Sequence, residues 1–322
     1  DYNGDYADIK VTWSSDRDGI LYEGVIDENG ESQFTTASLS AGIHSVNLLA
    51  LADGYEAQRD SLFVGVCGWS MIASFEEPLS TEEWLVYSGQ GSTTWPSRDA
   101  GGWLEITGNV QGRKGGIFNI GRTIKPGDVD LRFNISTGQC NPPGTTCNAG
   151  GGADGFAMSV FQANDERQLL SILEAARIGG GLGYGVSGSY GNMDVQGFHI
   201  EFDTWHNVFN GNSEFHTDPT FPDVNGVLRG ADHIAVTLNG DPGNHYFKEE
   251  VPDLEDNQWH QIEVNIAGTS VKVTMDGNEI INGDIPVLNF KGGLIGFTGT
   301  TGFYTNYHRF DNLEVRQGCQ FN

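Results

Sequence analysis

The chain has 322 residues, enough for one large β domain and one small one. Seventeen lysines and arginines against 43 acids leave a net charge of −26, which argues against nucleic acid as a partner, because phosphate binding needs clustered cations. With 46 glycines, 10 prolines, 11% aromatics and only one credible helix, over 165–177, the chain reads as all-β. An exterior this acidic suits solvation or cation binding.

In chain order, strands are expected over 8–13, 20–25, 33–36, 42–52 and 60–66. Turn clusters separate them: Ser14-Ser15-Asp16-Arg17-Asp18-Gly19, Asp27-Glu28-Asn29-Gly30 and Asp53-Gly54. Short strands at that spacing make a small β-sandwich over residues 1–66. This unit holds 12 acids and 3 bases, so it is the more acidic part per residue. Leu39-Ser40-Ala41-Gly42-Ile43-His44-Ser45-Val46, followed by Ala52-Asp53-Gly54-Tyr55, resembles immunoglobulin-like modules of the polycystic-kidney-disease type, which implies a spacer. Asp16-Arg17-Asp18-Gly19 is read as a solvated turn before a calcium loop. The opening residues, 1–8, are polar and show no signal peptide, and the apolar stretch 61–75 is too short and too broken to span a bilayer.

The second unit is expected over 67–322. A hairpin joins 261–267 to 271–275, the turn Asp276-Gly277-Asn278 leads into 279–281, and 294–298 and 309–315 are closing strands. About 250 residues of strand without helical alternation favour a large antiparallel sandwich. Four cysteines allow three pairings. Cys140 and Cys147 bracket a turn-rich hexapeptide and close easily. Cys67 and Cys319 would then pair across most of the larger unit. Disulfides place the chain in an oxidising, extracellular setting.

The run His199-Ile200-Glu201-Phe202-Asp203-Thr204-Trp205-His206-Asn207 is the most informative. Read as a strand, it puts Glu201, Asp203 and Trp205 on one face. Two carboxylates side by side need a cation or a shared proton. Asn207 and Asp218, of Asp218-Pro219, add hard oxygen ligands, and His233 adds a nitrogen. Such a set could hold Ca²⁺ and, beside it, a softer divalent metal.

The order of motifs goes further. Gly151-Gly152-Ala153-Asp154-Gly155-Phe156-Ala157 precedes Gly179-Gly180-Gly181-Leu182-Gly183-Tyr184. The 201–207 run, Asp218-Pro219, His233-Ile234-Ala235-Val236 and Gly296-Phe297-Thr298-Gly299-Thr300-Thr301-Gly302 follow. This resembles the legume-type (L-type) lectin family, its bacterial members in particular. The resemblance implies a concanavalin-A-like jelly-roll sandwich and an extracellular, calcium-dependent protein that binds a glycan or polysaccharide. It implies Ca²⁺ on Asp203, Asn207, Asp218 and the Trp205 carbonyl. A transition metal, typically Mn²⁺, is implied on Glu201, Asp203, Asp218 and His233. Asp154, after a cis peptide with Ala153, would accept from two sugar hydroxyls. A Gly180–Gly181 amide and the Asn207 side chain would donate, Trp205 would stack on the sugar ring, and the loop from Phe303 and Tyr304 to Tyr307 would select the sugar. Intervals longer than the family's separate Asn207, Asp218 and His233. Asp223, Asn225 or Asp232 could therefore replace Asp218, and a calcium-only site and a paired site both stay open.

Two other functions compete. Laminarinase-like hydrolases share this sandwich and carry Glu-x-Asp-x-x-Glu on one strand. Here Glu201 and Asp203 are present, but His206 stands third and no second catalytic glutamate follows, so no enzyme activity is expected. A subunit of a surface layer or filament, self-associating through residues 1–6, is the other reading. Tyr184, Phe156 and Phe297 are expected in the core. The glycines at 179–185 lack the Lys-Ser/Thr of a phosphate loop.

Overall fold

The computed structural model describes residues 8–36, 39, 42–66, 69–89, 96–99, 101–141, 143–144, 152–207 and 218–317. Cys67, Cys147, Cys319 and residues 1–6 lie outside them. The chain divides into two compact units, Asp1–Ser70 with Arg316–Asn322, and Met71–Val315. No helix among the described residues is long and apolar enough to cross a membrane.

The first unit is built on β1 (Lys10–Ser15), β2 (Gly19–Val25), β3 (Gly42–Leu51) and β4 (Gln58–Val66), one antiparallel sheet in the order β2-β1-β3-β4. The strand expected over 33–36 is not formed. Phe34 instead lays its ring against Trp13 at 5.4 Å and Tyr22 at 5.8 Å, so side-chain burial on the sheet face displaces backbone pairing there. The turn between β1 and β2 is closed by its own side chains. The Ser15 hydroxyl accepts from the Arg17 and Asp18 amides, and Asp16 accepts from the Ser45 amide.

The second unit carries β5 (Ser70–Ala73), β6 (Trp84–Ser88), β7 (Ser97–Arg98), β8 (Leu104–Glu105), β9 (Arg113–Asn119), β10 (Val129–Gly138) and β11 (Gly155–Phe161). Helix α1 (Glu166–Ala175) follows, then β12 (Gly197–Asp203), the short pair β13 (Phe221–Pro222) and β14 (Leu228–Arg229), β15 (His233–Leu238) and β16 (Phe247–Glu250). The chain ends through β17 (His260–Ala267), β18 (Ser270–Met275), β19 (Asn278–Asp284), β20 (Leu294–Thr301) and β21 (Tyr307–Gln317). One sheet runs β16-β15-β12-β11-β20-β9-β6; the other runs β19-β18-β17-β10-β21-β8-β7, with β5 also on β21. Two antiparallel sheets with these crossovers, packed through one core, make a concanavalin-A-like jelly-roll sandwich.

Alternation sorts the residues between faces. Phe198, Ile200 and Phe202 of β12 enter the core between the sheets with Phe156, Met158, Phe297 and Ile234, against Leu131, Phe133, Val264 and Phe310 of the opposite sheet. Phe133 stands edge-on to Phe202 at 6.1 Å and to Phe297 at 5.6 Å, a contact that fixes the spacing of the layers. The odd residues of β12 face away from this core, under a second apolar cluster formed by α1 and the segment after it: Leu169, Ile172, Leu173, Leu182, Tyr184 and Val186. The sandwich therefore has a partial third layer. Its helix starts where Asp165 accepts from the Gln168 amide at 2.9 Å, as an N-cap should.

Candidate functional site

The register brings the chemistry to one end of the seven-stranded sheet. Gly155 pairs with Asp203 and with Thr300, and Asp203 pairs with His233. Asp154 precedes β11, Asp203 ends β12, His233 begins β15 and Gly302 follows β20, so four strand ends meet. Strand β12 stops at Asp203, which corrects the expected strand through Trp205. Glu201 and Asp203 share a face, but Trp205 lies beyond, in a turn. The turn forms because Asp203 Oδ1 accepts from the Trp205 amide at 2.9 Å. Asn207 then returns its side-chain amide to the Trp205 carbonyl at 3.2 Å and its backbone amide to Asp218 Oδ2.

Asp203 and Asp218 are 3% and 6% exposed. Burial, then the charge of Asp218, then those of Glu201 and Asp154, push the Asp203 carboxyl well above the usual range. Burial likewise pushes Asp218 up to about 7, against the lowering by the Asn207 amide. Two buried carboxylates beside one another, with Asn207 and the Trp205 carbonyl on the same turn, supply the hard oxygens Ca²⁺ takes. The other acids considered for this place point elsewhere. Asp223 closes the β13–β14 turn by accepting from the Asn225 and Val227 amides, and Asp232 accepts from the Leu254 amide at 2.8 Å.

Asp154 follows a cis Ala153–Asp154 peptide. Its backbone is held on both sides: its amide donates to Thr300 O at 3.0 Å and its carbonyl accepts from the Thr204 amide at 3.2 Å. Its Oδ2 is buried and has no hydrogen-bond partner among the described residues, and burial pushes the carboxyl up to about 7. The space above it is kept by Gly302, where a Cβ would stand 3.2 Å from Oδ2. Gly180 and Gly181 form a buried 3-10 turn. A Cβ on Gly180 would lie 3.3 Å from Asn207 Nδ2, which places that turn against the Asn207 side chain. Trp205 is half-buried and stacks on Tyr304, with ring centroids 4.7 Å apart and planes 27° apart. Phe303 packs edge-on to Tyr304 and is 78% exposed. The loop is tied down behind them by buried Asn306, which donates to Thr204 Oγ1 at 3.3 Å and to Glu255. Asp154, Gly180, Asn207, Trp205 and Tyr304 thus line one edge.

Glu201 and His233 sit deeper, 2% and 1% exposed. With them is His245, in the connection from β15 to β16, which no motif in the sequence marks. Its Nε2 lies 3.1 Å from Glu201 Oε2. The other Glu201 oxygen accepts from the Tyr184 hydroxyl, which meets Thr237 Oγ1 at 2.6 Å. Tyr184 is buried as expected, but this contact with Glu201 had no signal in the glycine-rich run that carries it.

No family model and no curated protein matches this chain. Among solved structures it is similar to the Ca²⁺/Man-bound form of the VIP36 exoplasmic/lumenal domain, at 13% identity over 74% of this chain and 84% of that one, with a TM-score of 0.47. It is also similar to the metal-free carbohydrate recognition domain of Emp46p, at 10% identity over 79% of this chain and 100% of that one, with a TM-score of 0.49.

Proposed function

We propose that this chain is a carbohydrate-binding lectin of the L-type family, in which Ca²⁺ organises the binding edge. The observation that carries the reading is the pairing of an unsatisfied acceptor with an aromatic platform. A buried carboxylate oxygen without a hydrogen-bond partner among the described residues, Asp154 Oδ2, is a standing demand for donors. A sugar offers hydroxyl donors on its rim and an apolar face, and the Trp205–Tyr304 pair gives that face a place to rest. Asp203, Asp218, Asn207 and the Trp205 carbonyl are the ligands for Ca²⁺. The ion touches the loop and fixes Asn207, whose amide and that of Gly180–Gly181 donate to the sugar. A transition metal beside it, at Glu201 and His233, completes the centre.

The finer features belong to the same reading. Residues 1–66 are an immunoglobulin-like spacer and 67–322 the lectin domain, as in bacterial-type members. Cys140 pairs with Cys147 and Cys67 with Cys319, consistent with an extracellular or cell-surface setting. In the run from Glu201, His206 stands where a retaining hydrolase of this fold carries its second glutamate, which supports a binding protein over an enzyme.

The test is Asp154→Ala in a glycan-binding assay. Sugar binding is expected to be lost with the circular dichroism spectrum unchanged. Normal binding by this variant would remove the site.

A further inference from the structure

The inner end of the site has its own ligand geometry. Glu201, His233 and His245 each offer one donor atom, and no two of these atoms are more than 4.8 Å apart. His233 Nδ1 lies 3.1 Å from the Ala231 carbonyl, which can only accept, so Nδ1 carries the proton. Nε2 of the neutral ring then holds the lone pair, and that atom is buried without a hydrogen-bond partner among the described residues. On Glu201 the Tyr184 hydroxyl occupies Oε1, which leaves Oε2 for the cluster. A ring whose far nitrogen is pinned to a carbonyl and a carboxylate held by a tyrosine are the supports a metal ligand needs.

We propose that Glu201, His233 and His245 form a His₂Glu site for a borderline divalent cation of the Zn²⁺ class, with Asp203 and Asp218 left to Ca²⁺. This deepens the lectin reading and rests on it for the neighbouring calcium. It departs from the Glu/Asp/Asp/His set and the Mn²⁺ that the family resemblance implies. Two imidazoles and one carboxylate are a zinc donor set, whereas an oxygen-rich shell suits manganese. The reason lies in the connection from β15 to β16, which turns back and places His245 Nε2 beside Glu201 Oε2.

Zn²⁺ outbinds Mn²⁺ at most nitrogen sites, so metal preference alone does not decide the question. The deciding comparison is between ligands. The full chain, stripped of transition metals and held in saturating Ca²⁺, is titrated with Zn²⁺ against a chromophoric chelator, and Co²⁺ absorption is recorded in parallel. The wild type is expected to bind one Zn²⁺, and Co²⁺ to give the intense bands of a four-coordinate site. His245→Ala is expected to weaken Zn²⁺ at least tenfold, while Asp203→Asn keeps it within threefold. His245→Gln, which preserves size, gives the same loss should the alanine variant unfold. The proposal is overturned when the wild type binds no Zn²⁺, when both His245 variants bind it as the wild type does, or when Asp203→Asn loses it as fully as His245→Ala. Zn²⁺ binding without any glycan binding would leave this site standing and remove the lectin reading; glycan binding without Zn²⁺ would do the reverse.

Discussion

In the proposed binding edge, Asp154 would supply a polar contact and Trp205 an apolar one. Asp154 is placed by backbone bonds to Thr300 of β20 and to Thr204 just past β12, whereas Trp205 is placed, among the described residues, by its turn and by Tyr304. Trp205→Ala is therefore expected to weaken sugar binding without abolishing it, by about 0.5–1.5 kcal/mol beyond lost area. Titration calorimetry would show this, and unchanged affinity would exclude Trp205 from contact. A second residue-level expectation concerns His308, buried beside Arg309, whose burial, then the charge of Arg309, push its pKa from 6.5 down to about 3. Below pH 6.5 the unfolded chain takes up a proton there that the folded chain refuses until about pH 3. This contribution to stability is therefore present above pH 6.5 and is lost as pH falls through that window. Its slope is about 1.4 kcal/mol per pH unit. In urea unfolding between pH 4 and 6, His308→Gln is expected to have a stability-against-pH slope shallower by that amount; an unchanged slope contradicts the assignment. At this scale the sequence shows Asp154, Glu201, Asp203, Asn207 and His233, because short motifs carry them. It does not show His245 or the Tyr184–Glu201 contact, which depend on where a connection turns back across the sheet. It also misplaces Trp205, because alternation holds only while the strand lasts and Asp203 ends it by capping the next turn.

Helix α1 shows how an element is completed from outside itself. It has no basic residue in its last turn, and its final carbonyls would be left without donors. Lys114, from β9, reaches them: Nζ donates to Leu173 O at 2.9 Å, Ala176 O at 2.7 Å and Glu174 O at 3.3 Å. The ammonium is buried, which lowers its pKa, and three carbonyls at a helix C-terminus are what make that burial tolerable. Lys114→Met is expected to destabilise the fold by about 1–3 kcal/mol, since buried acceptors lose their donor. Hydrogen exchange in 166–175 should rise with it; unchanged stability and exchange would show that the cap does no stabilising work. The helix itself is plain in the sequence, because Asp165 and the spacing of Leu169, Ile172 and Leu173 define it locally. Its C-terminal cap is not, since the donor lies some 60 residues upstream in the chain. The hairpin of β17 and β18 is also legible from its glycine turn. The segment 33–36 is not, because Phe34 finds a better partner in the rings of Trp13 and Tyr22 than its backbone finds in a strand.

For the whole molecule, the net charge of −26 and the buried carboxylates act in the same direction. Without a cation, Asp203 and Asp218 are held in a space that disfavours their charge. On the proposed function Ca²⁺ would bind the folded chain and not the unfolded one, and would add about 2.7 kcal/mol at a concentration a hundred times its Kd. The melting temperature is therefore expected to fall on chelation. A large antiparallel sandwich is legible from composition and strand spacing, because an all-β chain of this size has few ways to cover its sheets, whereas the jelly-roll class is legible only through the resemblance its ordered motifs carry. The third layer is not, since the segment after α1 has no regular period. The most direct measurement is a glycan array probed with the purified chain in calcium and again with a chelator. Binding to a defined sugar class in calcium, and its loss on chelation, is the expected result. Binding that persists in the chelator would contradict a calcium-organised edge, and no binding in either condition would contradict the lectin itself.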